Sequence, residues 1–505
     1  MGAGKSTVAR ILAHRLARPL VDLDERFVAR HGPIAAFFAA RGEDAFRQEE
    51  RRLLREAVTG PAAVIATGGG VVEDPRNLVD LERSCRTVHL GVPLETCLQR
   101  VAGDGRRPVL DEAPGRYARR SGAYALAAIQ VAADTDPERV ADAVLAQVTT
   151  LATPVPDAAL HPLWIGAGLE GLRTVVDGAG PDGCILITDD RVDRAWGDHA
   201  AHLLEPRSRL VFPEGEAQKT LATWSRLHDQ VLAARPTRQT SIVALGGGVV
   251  GDLAGFVAAT CLRGLPVVQV PTSTLAMIDS SVGGKTGVNH ALGKNLIGAF
   301  HSPAATWIAT DTLATLDPRH RRAGWAEAVK MAATHDRHAF AFLECAAADL
   351  DHPQLAEAVV RHAVRTKARV VGRDPLERGE RRLLNAGHTA AHGLERALGY
   401  GRLLHGEAVS IGLIAESAWS VAQGHALPET TSRLRTLLHA LGLPTTWPAE
   451  VDPDAFRAAV ELDKKGVRDK VSIPVVRRIG SAALQEAPTA SLATEFLANT
   501  GLPTP

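Results

Sequence analysis

The run Ser241-Ile-Val-Ala-Leu245 ends in three consecutive glycines, Gly246 to Gly248, and Gly251-Asp252 follow after Val249-Val250. A short apolar run bounded by glycine reads as a buried strand, and the glycines as a turn into a helix. An apolar helical segment comes next, then a second run, Val267-Val-Gln-Val270, and a loop rich in Ser, Thr and Gly. Strand, turn, helix and strand in this order restrict the region to an α/β fold. Glycines let backbone N–H groups approach a pyrophosphate, and a helix N-terminus favours negative charge. A triple glycine also serves as a bare strand-to-helix turn. A purely structural loop, however, has no need of Asp279, Ser280, Ser281, Lys285, Lys294 and Asn295 within one short span. The two lysines there point to a second, separate anion.

A chain of 505 residues accommodates about three domains. Apolar content of 45% and charged content of 23% match a soluble globular protein. A net charge of +0 argues against nucleic acid as a partner, and no apolar run is long enough to span a bilayer. Met1-Gly-Ala-Gly-Lys5 lacks the layout of a signal peptide, so a cytoplasmic setting is expected. The five cysteines are scattered without a C-x-x-C pair, which disfavours disulfides and thiolate metal sites. Nine lysines stand against 48 arginines. Most of these rare lysines fall inside polar motifs, where a compact, rotatable charge suits phosphate.

Near the start, Gly4-Lys5-Ser6 opens a helical segment and supplies the last positions of the G-x-x-x-x-G-K-[ST] phosphate loop. The first glycine of that pattern, and the strand before it, are expected upstream of Met1. Asp22-Leu-Asp24 follows a short apolar piece, Phe46-Arg47 lies in a charged helix, and Val64-Ile-Ala-Thr leads into Gly68-Gly69-Gly70. Arg106-Arg107-Pro108-Val-Leu110 is a basic loop, and Arg120 precedes Tyr124 by four residues. In this order the segment resembles shikimate kinase. The resemblance implies a P-loop kinase-like parallel-sheet domain over residues 1–148. Gly2, Gly4, Lys5, Ser6, Thr7 and Arg107 would hold ATP, with Ser6 and Asp22 on Mg²⁺. Asp24, Arg47, Gly69, Gly70 and Arg120 would bind shikimate, Asp24 orienting the attacking hydroxyl. Phosphoryl transfer relies on positioning and charge neutralisation, which suits such an inventory.

Residues 149–160 carry two prolines and few large side chains and read as a linker. A second α/β pattern runs over 161–310, with apolar runs at His161-Pro-Leu-Trp-Ile-Gly166, Cys184-Ile-Leu-Ile-Thr-Asp189 and Leu210-Val-Phe212. Asp189, at a strand end, suits either a ribose hydroxyl or a helix N-cap. From 311 the pattern turns helical. Glu327 and Lys330 share a helix face at i, i+3, His388 and His392 are spaced i, i+4, and His405 is a third histidine. One Glu with two His is a good zinc set that leaves a position open.

The region from 161 to about 495 resembles 3-dehydroquinate synthase. The motifs are GGGxxGD at 246–252, Thr272-Ser273, D-S-S-V-G-G-K at 279–285, L-G-K-N ending at Asn295, A-E-x-x-K at 326–330, L-N-x-G-H-T-x-x-H at 384–392, H-G-E at 405–407 and D-K-K at 463–465. The resemblance implies a Rossmann-like NAD-binding α/β domain over 161–310. An α-helical metal- and substrate-binding domain would occupy 311–505. It places Zn²⁺ or Co²⁺ on Glu327, His388 and His405. NAD would be held by Asp189, Glu214, Glu216, Lys219, Gly248, Gly251, Asp252, Thr272, Ser273, Thr312 and Thr315, with Lys285 and Lys294 reaching cofactor and substrate alike. Asn295, Lys330, Lys367, Arg381, Asn385, His392 and Lys464 would meet the substrate phosphate and carboxylate, and Asp279 its hydroxyls. The implied chain is a bifunctional shikimate-pathway enzyme acting on small molecules, with a homodimer formed through the synthase part. Its synthase reaction would convert 3-deoxy-D-arabino-heptulosonate 7-phosphate to 3-dehydroquinate and phosphate, using NAD catalytically. Two alternatives stay open: another sugar-phosphate cyclase, and a monofunctional synthase with a non-catalytic N-terminal module.

Overall fold

The computed structural model describes residues 2–101, 113–150, 152–155, 161–399, 401–464 and 470–499, without the side chains of 101, 462–464 and 490. Arg107 and the Lys464 side chain therefore lie outside the described residues. The chain divides into two compact units, Met1–Thr153 with Ala341–Ala358 and Pro154–Phe340 with Val359–Pro505. No described helix is long and apolar enough to cross a membrane.

In the first unit, helix α1 (Lys5–Arg15) starts after Gly4, which takes the left-handed φ of 79°. It buries Val8, Ala9, Leu12 and Ala13, the i, i+4 face of an amphipathic helix. Strand β1 (Leu20–Asp22) pairs in parallel with β2 (Val64–Ala66), and β3 (Val88–Gly91) pairs in parallel with β4 (Ile129–Ala132). The expected parallel sheet is thus present as two separate two-stranded pieces among the described residues. Burial follows this split. Ile129 and Val131 of β4 are buried, whereas every residue of β3 is only partly covered. Helices α2 (Leu23–His31) and α3 (Ile34–Val58, kinked at Gly42) bring Phe27, Phe46, Leu53 and Leu54 into a second small core.

The second unit is built on the six parallel strands of a seven-stranded sheet, whose edge strand carries the chain across the boundary at Thr153–Pro154. The sheet order is β5 (Ala152–Pro154), β6 (Leu163–Gly166), β13 (Ala305–Ala309), β10 (Val267–Pro271), β9 (Ser241–Gly246), β7 (Cys184–Asp189) and β8 (Ser208–Phe212). From β6 to β8 all neighbours run parallel. The central strands are buried on both faces, which is why they read as unbroken apolar runs rather than alternating ones. The chain moves one way from β7 to β8 and the other way from β9 through β10 to β13. The strand order therefore reverses between β7 and β9, the kind of point at which open α/β sheets take ligands outside their carboxyl ends.

Two expectations need correction. The stretch 149–160 is not wholly a linker: Ala152–Pro154 is the edge strand, and Val155 donates its N–H to the Leu163 carbonyl at 2.9 Å. An edge tolerates proline because one side needs no donor, and Ala152, Thr153 and Val155 are all buried there. Nor is 311–505 wholly helical. An antiparallel hairpin, β14 (Lys470–Arg478) with β15 (Ser481–Pro488), turns at Gly480 with φ 82° and buries Ile473, Val475 and Val476. The rest of that region is helical, and its helices α6 (Pro318–His335), α7 (Pro353–Arg373), α8 (His388–Leu398) and α9 (His405–Ala422) carry the polar cluster described next.

Candidate functional site

Glu327 lies mid-way along α6 with no solvent exposure. Both of its carboxylate oxygens are buried without a hydrogen bond, although the Lys330 ammonium sits against Oε2 as an ion pair. His388 opens α8 and His405 opens α9, and each presents Nε2 at 3.7 Å from Glu327 Oε1. That spacing is too long for a hydrogen bond. It suits two atoms bound to one ion, since tetrahedral zinc ligands at about 2.0–2.1 Å lie roughly 3.3 Å apart. Ligand atoms of Glu327, His388 and His405 all fall within 4.8 Å of one another. Burial and the Lys330 charge push His388 well below the usual imidazole range, which keeps it neutral as ligation requires. The donor set and the orphaned carboxylate therefore fit a divalent metal.

The two histidine-bearing helices are locked together. Gly387, at φ 81°, precedes α8 and offers no capping side chain. Glu416 of α9 does that work, accepting from Gly387 N at 2.7 Å and Ala390 N at 3.1 Å. A Cβ on Gly412 would fall 2.0 Å from the Gly387 carbonyl oxygen, so the helices meet backbone to backbone.

Around this centre the structure gathers most of the residues expected to meet substrate. Lys367 of α7 donates to the Asp279 carbonyl and to its Oδ1, the latter at 2.6 Å. Burial opposes charge on Asp279, but Lys367 and Lys330 outweigh it and hold the carboxyl far below its ordinary range. Lys285 pairs with Glu377, which also accepts from Asn385 Nδ2 at 2.6 Å. Arg381 donates to the carbonyls of Pro375 and Gly283. Lys294, from the hairpin β11 (Lys285–His290) and β12 (Gly293–Phe300), donates to Glu395 at 3.0 Å. His392 lies beside the centre, its ring 5.5 Å from that of His388.

The glycine turn lies at the crevice. Helix α5 (Gly248–Thr260) begins after Gly247 with no side-chain cap, the kind of N-terminus that suits an anion. A Cβ on Gly251 would fall 2.8 Å from Gln269 Oε1, so that glycine serves helix–strand packing. Thr272 N–H bonds the Gly246 carbonyl, and Ser273 Oγ accepts from Ala276 N. Asp252 meets Lys219, whose ammonium also reaches Asn295 Oδ1. Burial pushes the Asp252 carboxyl up in spite of Lys219. Asp189 caps its own turn by accepting from Arg191 N and Val192 N, one of the two roles its position allowed. Glu214 N–H donates to Asp190 Oδ1, and Glu216 accepts from Asn289. Thr312 and Thr315 spend their hydroxyls within a 3₁₀ turn on the carbonyls of Ala309 and Thr312.

In the first unit Ser6 Oγ donates to Asp22 Oδ2 at 2.7 Å, at the uncapped start of α1 where Lys5 and Thr7 also lie. Asp24 and Arg47 converge on the 68–70 loop. A Cβ on Gly68 would sit 3.2 Å from Asp24 Oδ1, and one on Gly70 would overlap the Arg47 guanidinium. Tyr124 donates to the Gly69 carbonyl. Arg120 donates to Glu73 Oε1 at 2.9 Å, while Glu73 Oε2 lies 3.2 Å from Arg47. Sequence reasoning missed Glu73, Glu377, Glu395 and Glu416. Each is an ordinary carboxylate outside any recognised motif, and only Glu377, at φ 59°, is marked even by its backbone.

Residues 209–323 match the 3-dehydroquinate synthase N-terminal model and 324–466 the C-terminal model, while 1–149 match the shikimate kinase model. A curated 3-dehydroquinate synthase from Xanthomonas campestris pv. campestris (strain 8004) is 46% identical over 313 residues, 59% of this chain and 84% of that protein. The chain belongs to the 3-dehydroquinate synthase family. A synthase from Methylococcus capsulatus is 41% identical over 66% of this chain and 94% of its own. Among solved structures, 2-deoxy-scyllo-inosose synthase complexed with carbaglucose-6-phosphate, NAD⁺ and Co²⁺ superimposes at TM-score 0.62 with 27% identity, covering 68% of this chain and 99% of that one. The 2-epi-5-epi-valiolone synthase from Streptomyces hygroscopicus, with NAD⁺ and Zn²⁺ bound, gives 0.60 with 29% identity over 67% and 96%. The synthase domains and the shikimate kinase domain thus make the chain a fused shikimate-pathway enzyme.

Proposed function

We propose that the second unit converts 3-deoxy-D-arabino-heptulosonate 7-phosphate to 3-dehydroquinate and phosphate, and that the first transfers the γ-phosphate of Mg²⁺-bound ATP to shikimate. The observation that carries the synthase reading is the buried Glu327 carboxylate, left without hydrogen bonds and facing His388 and His405 amid lysines. Glu327, His388 and His405 hold Zn²⁺ or Co²⁺ in this reading, and the α5 N-terminus with Gly248, Thr272 and Ser273 holds NAD. When bound, the metal supplies a Lewis acid for a hydroxyl to be oxidised and NAD a reversible hydride acceptor. Lys285, Lys294 and Arg381 neutralise the phosphate that leaves, Asn295 donates a hydrogen bond to it, and Lys330 and Lys367 hold the oxygens near the metal. Asp279, kept ionised between two lysines, orients the substrate hydroxyls. In the first unit Lys5 and the α1 N-terminus hold phosphates, Ser6 and Asp22 hold Mg²⁺, and Asp24 orients the attacking hydroxyl.

Product analysis tests the synthase reading. With the heptulosonate phosphate, NAD⁺ and Zn²⁺, the chain should release one phosphate per 3-dehydroquinate and accumulate no NADH. Net NADH, or a cyclitol product of the kind made by the two structural relatives, would overturn it. For the kinase, formation of ADP that depends on shikimate is expected, and ATP hydrolysis indifferent to shikimate would count against it.

A further inference from the structure

Glu395 has no place in the scheme above, yet it touches two of its parts. It sits on α8, seven residues after His388, and is 5% exposed. Its Oε1 takes the Lys294 ammonium at 3.0 Å. Its Oε2 lies 3.5 Å from His405 Nδ1, while the other ring nitrogen of His405 faces Glu327. Lys294 comes from the β11–β12 hairpin of the α/β region, and His405 opens α9 of the helical region. One buried carboxylate therefore shares its charge between a lysine read as a phosphate contact and a histidine read as a metal ligand. Ligand atoms of His392, Glu395 and His405 also lie within 4.8 Å of one another. Each carboxylate carries a lysine, Lys294 on Glu395 and Lys330 on Glu327. Only Glu327 keeps an oxygen without a hydrogen bond, Oε1, facing Nε2 of both histidines, so the metal is assigned to the Glu327 side.

We infer that Glu395 is a positioning residue that couples metal affinity to the occupancy of Lys294. A carboxylate accepting the Nδ1 proton of a metal-bound histidine fixes the ring and raises the donor strength of Nε2. A lysine on the same carboxylate competes for that charge. An anion that draws Lys294 away returns the charge to His405, so the metal is held more tightly. By linkage the metal then strengthens anion binding by the same factor. This inference rests on the metal reading of Glu327, His388 and His405.

A double-mutant cycle on the metal-stripped full chain tests it, read as Co²⁺ affinity from the visible spectrum rather than as turnover. Glu395→Gln keeps the shape and removes the charge, and should weaken Co²⁺ binding by about 10- to 100-fold. Lys294→Met, at a partly exposed position that does not endanger folding, should tighten Co²⁺ binding several-fold in the parent chain. It should do nothing in the Glu395→Gln background. A Lys294→Met effect that is absent, opposite in sign, or equal in both backgrounds would overturn the coupling. Glu327→Ala separates the two levels: Co²⁺ retained at full stoichiometry would refute the underlying metal reading instead.

Discussion

Glu73 places its carboxylate between Arg47 and Arg120, the two guanidinium groups expected to bind shikimate, itself an anion. An internal anion on that pair competes with an incoming one. Glu73→Gln should therefore tighten shikimate binding, by about fivefold if the partly exposed contact contributes roughly 1 kcal/mol. Calorimetric titration checks this, and unchanged or weaker binding would reject it. His161 offers a test of a different kind. It is buried against Thr306, and burial lowers its pKa to about 4. His335 is lowered to about 4 by burial and by Arg369 and Arg373. Unfolded, each takes its proton near pH 6.5; folded, each resists until about pH 4. The unfolded state thus binds more protons between those values, and stability is lost as pH falls through that window. For His161 the full loss is about 3 kcal/mol. His161→Gln should flatten the dependence of urea midpoint on pH across it. Residues of this scale were legible only where chemistry demands a fixed pattern. Lys5, Glu327, His388 and His405 stand in motifs, whereas Glu73 and Glu395 acquire their roles from partners far away in the chain.

Two helices set the position of the metal histidines. Helix α9 carries His405 at its start and caps α8, through Glu416, at the turn that carries His388. Neither ligand can shift without moving the other helix. The close approach depends on Gly412, and a methyl group there would overlap the Gly387 carbonyl. Gly412→Ala should cost about 3 kcal/mol by overpacking and lower metal content together with stability. Chemical denaturation and metal analysis would read both, and a variant of parental stability would contradict this packing. Elements were legible where a single period ran through them. The buried strands β9 and β10 read directly as apolar runs. The strand at Ala152–Pro154 did not, because three residues beside prolines carry no period at all. The β14–β15 hairpin lies inside a region that read as helical, although two apolar runs around Ile479-Gly480 give a hairpin signal.

Each unit has its own hydrophobic core, one around Ile129 and Val144, another around Ile242 and Val257. A ligand stabilises the structure that binds it. Calorimetry of the whole chain should therefore show that NAD and Zn²⁺ raise one thermal transition, while ATP with Mg²⁺ raises a different one. A single transition that answers equally to both would contradict independent cores. At this scale the sequence was most legible: both halves carry long strings of motifs in order, and the reversal of strand order between β7 and β9 puts the glycine turn where a ligand crevice must be.

The division of the first unit's sheet into pairs has a consequence for solvent. Val64 N–H bonds the Pro19 carbonyl, toward β1. Successive amides of a parallel strand point to opposite sides, so that of Ile65 faces the edge where no described strand pairs with β2. Deuterium uptake should accordingly beat along the strand, fast at Ile65 and slow at Val64 and Ala66; uniform protection would reject this. An edge of that kind is also a template. It accepts an extended strand of suitable register, and pairing there would slow exchange at Ile65 alone.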